Sequence, residues 1–152
     1  MEHEKSFAEL TAKELYGILQ LRQRVFVVEQ ACAYLDCDDY DQRALHLWTT
    51  NGDHVIAYAR VFAPGEKCAE ASIGRVISAP EARRTGAGRA IVARAIATLA
   101  RSYGRVPIRI AAQSYLLKFY RELGFEPASA EYLEDSIPHH DMVRRDAVGL
   151  GG

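Results

Sequence analysis

The segment Ala71-Ser72-Ile73-Gly74-Arg75-Val76-Ile77-Ser78, followed after Pro80 by Arg83-Arg84-Thr85-Gly86-Ala87-Gly88, decides how this chain is read. Its first part has β-branched residues and ends at a proline, which cannot continue a sheet ladder, so it reads as a strand. Beyond the glycines, Ile91, Val92, Ala95, Ile96 and Leu99 recur at three- and four-residue intervals, with Arg89, Arg94 and Arg101 between them and Gly104 as a stop. That spacing predicts a helix of about four turns. A turn from strand to helix start gathers free backbone N–H groups and the positive end of the helix macrodipole at one point, which favours an anion. Gly86 and Gly88, on either side of Ala87, let a pyrophosphate approach the backbone. Arg83, Arg84 and Arg89 can donate charge-assisted hydrogen bonds to it. On these residues alone, a glycine turn with solvated arginines competes with the phosphate cradle.

The chain has 152 residues, with nineteen basic and twenty acidic side chains and a formal net charge of −1. This length fits one domain that buries roughly two thirds of the surface its unfolded form exposes, with no need of a metal or disulfide to fold. We place the domain at residues 1–148 and expect a disordered tail at 149–152. The charge balance argues against a nucleic-acid-binding surface. No apolar run approaches the ~20 residues of a membrane span, and residues 1–5 lack a signal peptide's apolar core, so a soluble cytoplasmic protein is expected. Cys32, Cys37 and Cys68 have neither CxxC pairing nor matching histidine spacing, which argues against zinc. Cys32 or Cys37 is a candidate nucleophile only beside a histidine.

Outward from the glycine turn, residues 6–10 read as a short strand and Thr11 with Glu14 as a capping box that opens a helix. Residues 26–30 are too β-branched to read as helical. Four of the eight residues from Tyr34 to Asp41 are aspartate, which marks a loop; the glycine and distal glutamate of a calcium loop are missing. Runs at 44–49 and 55–62 flank Asn51-Gly52-Asp53, a hairpin signal. After the long helix come a strand at 106–112 and a second helix ending at Gly124, then weak strand runs at 130–133 and 141–143. The result is an α/β or α+β domain with a mixed sheet. A Walker loop needs Gly-Lys-Ser/Thr where this chain has Gly88-Arg89-Ala90. A dinucleotide fingerprint follows the first strand, whereas this loop comes mid-chain.

Two motifs in order carry a resemblance. Arg83-x-x-Gly86-x-Gly88 is similar to the acetyl-coenzyme A loop of the GCN5-related N-acetyltransferase (GNAT) superfamily, and Phe119-Tyr120-Arg121-Glu122-Leu123-Gly124-Phe125 to its Phe-Tyr-x-x-x-Gly-Phe segment. The chain further resembles the ElaA family through Leu21 to Gln30, Tyr58-Ala59-Arg60, Ile73-Gly74-Arg75-Val76, Ala112-Gln113 and Tyr132 to His139. Ser114 departs from the asparagine of many superfamily members.

The resemblance implies a GNAT fold: one mixed, mostly antiparallel twisted sheet flanked by helices, with acetyl-CoA entering a splay between the fourth and fifth strands. It implies pantetheine pairing along Val76, Ile77 and Ser78, a backbone N–H there that polarises the thioester carbonyl, and further cofactor contacts from Gln113 and Ser114. Tyr120 is the implied general acid for the leaving thiolate. Glu29 and His46 are candidates for the base or for acceptor binding, and Glu134 and His139 for acceptor binding alone; each of these side chains also reads as ordinary surface or core. The implied reaction is acetylation of a primary amine without a metal, the acceptor being a small molecule or peptide and the enzyme a monomer or sheet-edge homodimer. The acids at 36–41, with Glu29 and Glu134, suit a cationic amine if they face the cleft. Two rival readings stand. Arg24-Val25-Phe26 with Asp39-Tyr40-Asp41 is similar to acyl-homoserine lactone synthases, which use longer acyl donors; a non-catalytic acyl-CoA-binding module also retains the loop.

Overall fold

A computed structural model describes residues 1–145. The tail expected at 149–152 lies outside the described residues. Strand β1 (Glu2–Ser6) is followed by a 3-10 turn at Phe7–Glu9, where a strand was expected. The Glu9 carboxylate explains the difference: it accepts from both the Ser6 amide (2.9 Å) and the Ser6 hydroxyl (2.8 Å), which curls the chain out of the sheet. Helix α1 (Ala12–Arg22) opens on the anticipated box, with Glu14 N–H donating to Thr11 Oγ1 and Thr11 N–H to the Glu14 carboxylate.

Of residues 26–30, expected not to be helical, 26–29 instead belong to a π-helical stretch, Gln23–Glu29, that extends α1 and ends at Gln30. Its amides reach five residues back, Gln30 to the Val25 carbonyl at 3.1 Å and Cys32 to that of Val27 at 3.0 Å. The wider turn buries Val25 and carries Phe26, Glu29 and Gln30 along the cleft described below. Single π turns of this kind often sit at functional sites.

Strands β2 (Leu45–Asn51) and β3 (His54–Phe62) form the hairpin that Asn51-Gly52-Asp53 signalled. Next come β4 (Ala71–Ser78), helix α2 (Ala87–Tyr103), β5 (Ile108–Gln113) and helix α3 (Leu117–Glu122). The tail supplies β6 (Glu126–Pro127), which the pattern did not show, then β7 (Tyr132–Glu134) and β8 (Ile137–Arg144). The eight strands among the described residues join one sheet in the order β1-β2-β3-β4-β5-β8-β6, with β7 also on β8. Every pairing is antiparallel except β4 with β5.

The parallel pair is the feature that shapes the molecule. It is registered only at Ala71–Ile108 and Ser72–Arg109, and beyond these positions the strands part. A bulge in β4 lies opposite Tyr58–Arg60: Tyr58 pairs with Ile77 and Arg60 with Gly74, so one extra residue sits on β4. Arg75 lies in it at φ +52°, a left-handed conformation that a bulky side chain rarely takes. The bulge bends β4 while β5 runs on to β8, and the sheet forks.

One face of the sheet packs α2 and α3. Ile91, Val92, Ala95, Ile96 and Leu99, the stripe read from sequence, meet Ala57, Val61, Ile73, Ile110 and Met142 there. On the other face, Ile18, Leu21 and Val25 of the α1 region cover Trp48, Tyr58 and Ile77. No helix among the described residues is long and apolar enough to cross a membrane.

Candidate active site

The unpaired parts of β4 and β5 line a cleft of about 870 Å³. Of the residues picked out from sequence, Glu29, Val76, Ile77, Ser78, Arg83, Gly88, Gln113, Tyr120, Glu134 and His139 line it. Beyond Ser72, the backbone groups of β4 that face β5 pair with no strand, so an extended ligand can take their hydrogen bonds.

At one end of this edge α2 begins. Gly86 is its N-cap at φ +86°, where any other residue is strained, and no side chain caps the first turn and no acid sits in it. The donors at the start of a 17-residue helix are therefore available to an anion. A Cβ on Gly88 would stand 3.8 Å from Ser78 Oγ, in the space between helix start and strand. Arg83 faces the cleft and pairs with Glu29 at 2.5 Å, while Arg89 pairs with Glu122 across to α3 and Arg84 is exposed. Gly86, Ala87, Arg84 and Arg89 thus frame the helix start without lining the cleft itself. Gln113 is tied to Gln30 by paired amides (3.2 and 3.4 Å), and Ser114 Oγ turns to His140 Nδ1 at 2.9 Å.

The Phe119-to-Phe125 motif places Tyr120. Helix α3 ends in a Schellman motif: Phe125 N–H reaches the Tyr120 carbonyl at 3.0 Å and Gly124 N–H that of Arg121 at 3.0 Å. The reversal needs Gly124 at φ +95°, and a Cβ there would come within 2.9 Å of Arg144 Nε. It folds Phe125 back edge-on to the Tyr120 ring at 5.8 Å, with Phe119 edge-on at 5.0 Å. The tyrosine is only 6 % exposed, and its hydroxyl makes no hydrogen bond among the described residues. Burial, with a smaller contribution from Tyr115, raises its pKa above the usual 10, so it stays protonated at neutral pH.

The two histidines separate sharply. His46, one of the sequence candidates, is wholly buried and does not line the cleft. Its Nε2–H donates to the Asp41 carbonyl at 2.9 Å, and its Nδ1 accepts from the Tyr58 hydroxyl at 2.7 Å. Burial lowers its pKa, and a neutral ring with both nitrogens engaged is a structural tie, so it is dropped as base or acceptor ligand. His139 is held the other way round. Its Nδ1–H donates to the Ile137 carbonyl at 2.7 Å, so in the neutral tautomer Nε2 is the lone-pair nitrogen, 3.7 Å from the Glu134 carboxylate.

Sequence reading missed the largest polar feature. Arg22 binds Asp36 at 2.8 Å and Asp41 at 2.7 Å; Arg60 binds Asp38 at 2.5 Å and Asp41 at 2.8 Å; Arg75 binds Asp36 at 2.8 Å and Asp38 at 3.3 Å. Asp36, Asp38 and Asp41 therefore spend their charge on guanidinium groups, which argues against their serving a cationic amine, the role expected of the run if it faced the cleft. Burial pushes the Asp38 carboxyl up, but Arg60 and Arg75 overcome it and hold it well below the carboxylate range. These bonds, with Phe26 and Tyr34 stacked near the Arg75 guanidinium, hold the strained residue that bends β4. A signal was present: Arg60 and Arg75 interrupt otherwise apolar strand runs, and four aspartates cluster at 36–41. The Cys32 thiol donates a hydrogen bond to the Asp135 carbonyl at 3.4 Å, and Cys37 is exposed.

Comparison with known proteins gives this arrangement a class. The crystal structure of an acyl-CoA N-acyltransferase from Pseudomonas aeruginosa matches with a TM-score of 0.90 at 38 % identity, covering 95 % of this chain and 99 % of that one. Fold and cleft are those of an acyl-CoA-dependent N-acyltransferase. More closely, the chain belongs to the acetyltransferase (GNAT) domain family, whose profile matches residues 9–145. ElaA of Escherichia coli is 36 % identical over 139 residues, 90 % of this chain and 91 % of ElaA. A UPF0039 protein of Synechocystis is 40 % identical over 140 residues, 91 % of each chain.

Proposed function

We propose that this enzyme transfers an acetyl group from acetyl-CoA to a primary amine by direct attack, with Tyr120 as the acid and His139 as the base. The observation that carries the reading is the fork between β4 and β5, open from the uncapped start of α2 to the unpartnered Tyr120 hydroxyl. Acetyl-CoA supplies the activated thioester. Its phosphates suit the first-turn amides of α2 with Arg83, and its pantetheine arm suits the unpaired edge of β4 at Val76, Ile77 and Ser78. A β4 amide facing β5 near Val76 stabilises developing negative charge on the carbonyl oxygen.

The amine attacks only when neutral, so a base removes one proton. His139 Nε2 is a lone-pair nitrogen in the cleft wall, and Glu134 stabilises the imidazolium that forms. Tyr120 gives its proton to the departing sulfur. Glu29 is left to Arg83.

The test is turnover of an amine library with acetyl-CoA, read as free thiol. Transfer from acetyl-CoA to a primary amine is expected; strong preference for long acyl donors would replace acetyl transfer by longer-chain transfer, and cofactor binding without turnover of any amine would reduce the protein to a binding module.

A further inference from the structure

Three polar groups beside the paired end of the β4–β5 fork have no hydrogen-bond or ion-pair partner among the described residues. Ser72, 7 % exposed, stands at the last paired position of the β4–β5 fork and lines the cleft, and its hydroxyl has no hydrogen-bond partner. Arg60 is wholly buried; its two terminal nitrogens hold Asp38 and Asp41, but Nε has no partner. Gly74, paired with Arg60 across the strands and itself in the cleft wall, puts no side chain over that nitrogen: a Cβ there would be 3.9 Å away. Lys67, from the loop before β4, also lines the cleft. It makes no ion pair among the described residues, and its ammonium lies 5.1 Å from the Tyr40 ring centre and 5.6 Å from that of Phe62.

The donor set gives the sign of what belongs there: an ammonium and a guanidinium N–H can only donate, and a hydroxyl can donate as well. Arg22, Arg60 and Arg75 are matched by Asp36, Asp38 and Asp41, three against three. Arg109, the partner of Ser72, is held by Glu70 and Asp141, which leaves Lys67 as the cation beside Ser72 with no ion pair among the described residues. Lys67 is exposed at its own surface, and its pKa is lowered by partial desolvation first and then by Arg60 and Arg75, with Asp38 and Glu134 opposing. An unpaired buried hydroxyl costs free energy that an anion would recover.

We propose that the cleft beside the paired end of the β4–β5 fork holds a carboxylate of the acceptor, bound by Lys67 Nζ and Ser72 Oγ, with the unpartnered Arg60 Nε behind Gly74 adding positive potential. The inference rests on the acyl-transfer reading and narrows its acceptor. Ser72 pairs with Arg109, whereas His139 pairs with Gln113, four residues further along β5. At roughly 3.3 Å per residue the two ends are about 13 Å apart along the strand, which leaves about 7 Å between the ligand's own ends once a hydrogen bond of about 2.9 Å is allowed at each. An α-amino acid, with amine and carboxylate on one carbon, does not span this. The acceptor is an elongated molecule with a primary amine at one end and a carboxylate at the other, an ω-amino acid or a short peptide.

Matched pairs test this: 6-aminohexanoate against 6-aminohexanamide for the aliphatic class, and glycylglycine against glycylglycinamide for the peptide class. In the native enzyme the acid of at least one pair is expected to exceed its amide in kcat/KM by about tenfold or more, the scale of a charge-assisted hydrogen bond. That ratio is expected to collapse towards unity in Lys67→Ala and to fall in Ser72→Ala. Because a ratio within one variant is read, partial loss of folded enzyme does not affect it. Equal use of acid and amide, a ratio that both variants leave intact, or turnover of other amines but of neither acid would overturn the carboxylate seat alone. Thiol release from no amine at all would remove the transfer reading and this inference with it.

Discussion

Glu29, on the π-helical turn, and Arg83, on the loop before α2, meet at 2.5 Å across the mouth of the cleft. The pair joins the two segments that flank the phosphate end, and both partners are substantially exposed, so it is worth no more than about 1 kcal/mol. A phosphate that recruits Arg83 must displace Glu29. Glu29→Gln is therefore expected to tighten acetyl-CoA binding by up to about fivefold with kcat retained, measured by titration calorimetry and steady-state kinetics. A fall in kcat of about a hundredfold with unchanged affinity would make Glu29 the base instead.

Tyr120→Phe separates chemistry from binding. The ring stays between Phe119 and Phe125, and the lost hydroxyl has no partner to strand. Affinity for acetyl-CoA and melting temperature are expected to hold while kcat falls by about a hundredfold or more. Because burial keeps the native phenol protonated beyond pH 10, the native rate is not expected to decline through its ionisation between pH 8 and 10. An unchanged kcat in the variant removes Tyr120 as the acid.

His139→Gln is expected to lower kcat/KM for the amine by about two orders of magnitude without weakening acetyl-CoA binding, and Glu134→Gln to have a smaller effect in the same direction. Single-turnover thiol release measures both. Full activity in His139→Gln would move the proton to solvent.

What was legible in the sequence follows from which forces are local. The stripe from Ile91 to Leu99 was readable because a helix repeats its buried positions at a fixed period, and Phe119 to Phe125 because a Schellman reversal needs its glycine at one place. The π turn after Arg22 was not, since hydrogen bonds five residues back have no propensity to betray them; buried Arg22, held by Asp36 and Asp41, anchors its start. The arginine–aspartate network spans separations of 14 to 39 residues. His46 and His139 could not be told apart in sequence, because a backbone carbonyl beyond the reach of any pattern fixes which nitrogen keeps its proton. The departure of β4 from β5 was expected from family resemblance, while its cause, an extra residue at Arg75, appears only in the strand register.

Buried His46 sets a pH dependence of stability. Its folded pKa lies below the ordinary 6.5, so under mildly acid conditions the unfolded chain binds a proton that the folded chain does not. Its contribution to stability is complete above about pH 6.5 and is lost as pH falls from there towards the folded value, at no more than about 1.4 kcal/mol per pH unit. Urea denaturation of His46→Gln is expected to show lower stability at pH 7.5 but a shallower decline to pH 5.5. An equal decline in both proteins would assign the acid sensitivity elsewhere.

The aspartate run should divide by partner, not by position. Asp41 is buried and accepts from Arg22 and Arg60 through one oxygen; burial pushes its carboxyl up, but the two guanidinium groups more than compensate, and the net pKa is lowered. Asp41→Asn keeps the shape and removes the charge, which leaves buried guanidinium groups uncompensated. A loss of about 3–5 kcal/mol is expected, or roughly 10 °C in melting temperature for a chain of this size. Two residues away, Asp39 is exposed and holds no arginine, and Asp39→Asn is expected to stay within about 0.5 kcal/mol of the native protein. Because the same network restrains Arg75 in the β4 bulge, Asp41→Asn should also widen the range of conformations at the fork. Acetyl-CoA affinity then falls further than stability at 25 °C alone explains, whereas a stability loss with unchanged affinity would show that the bulge holds without the network.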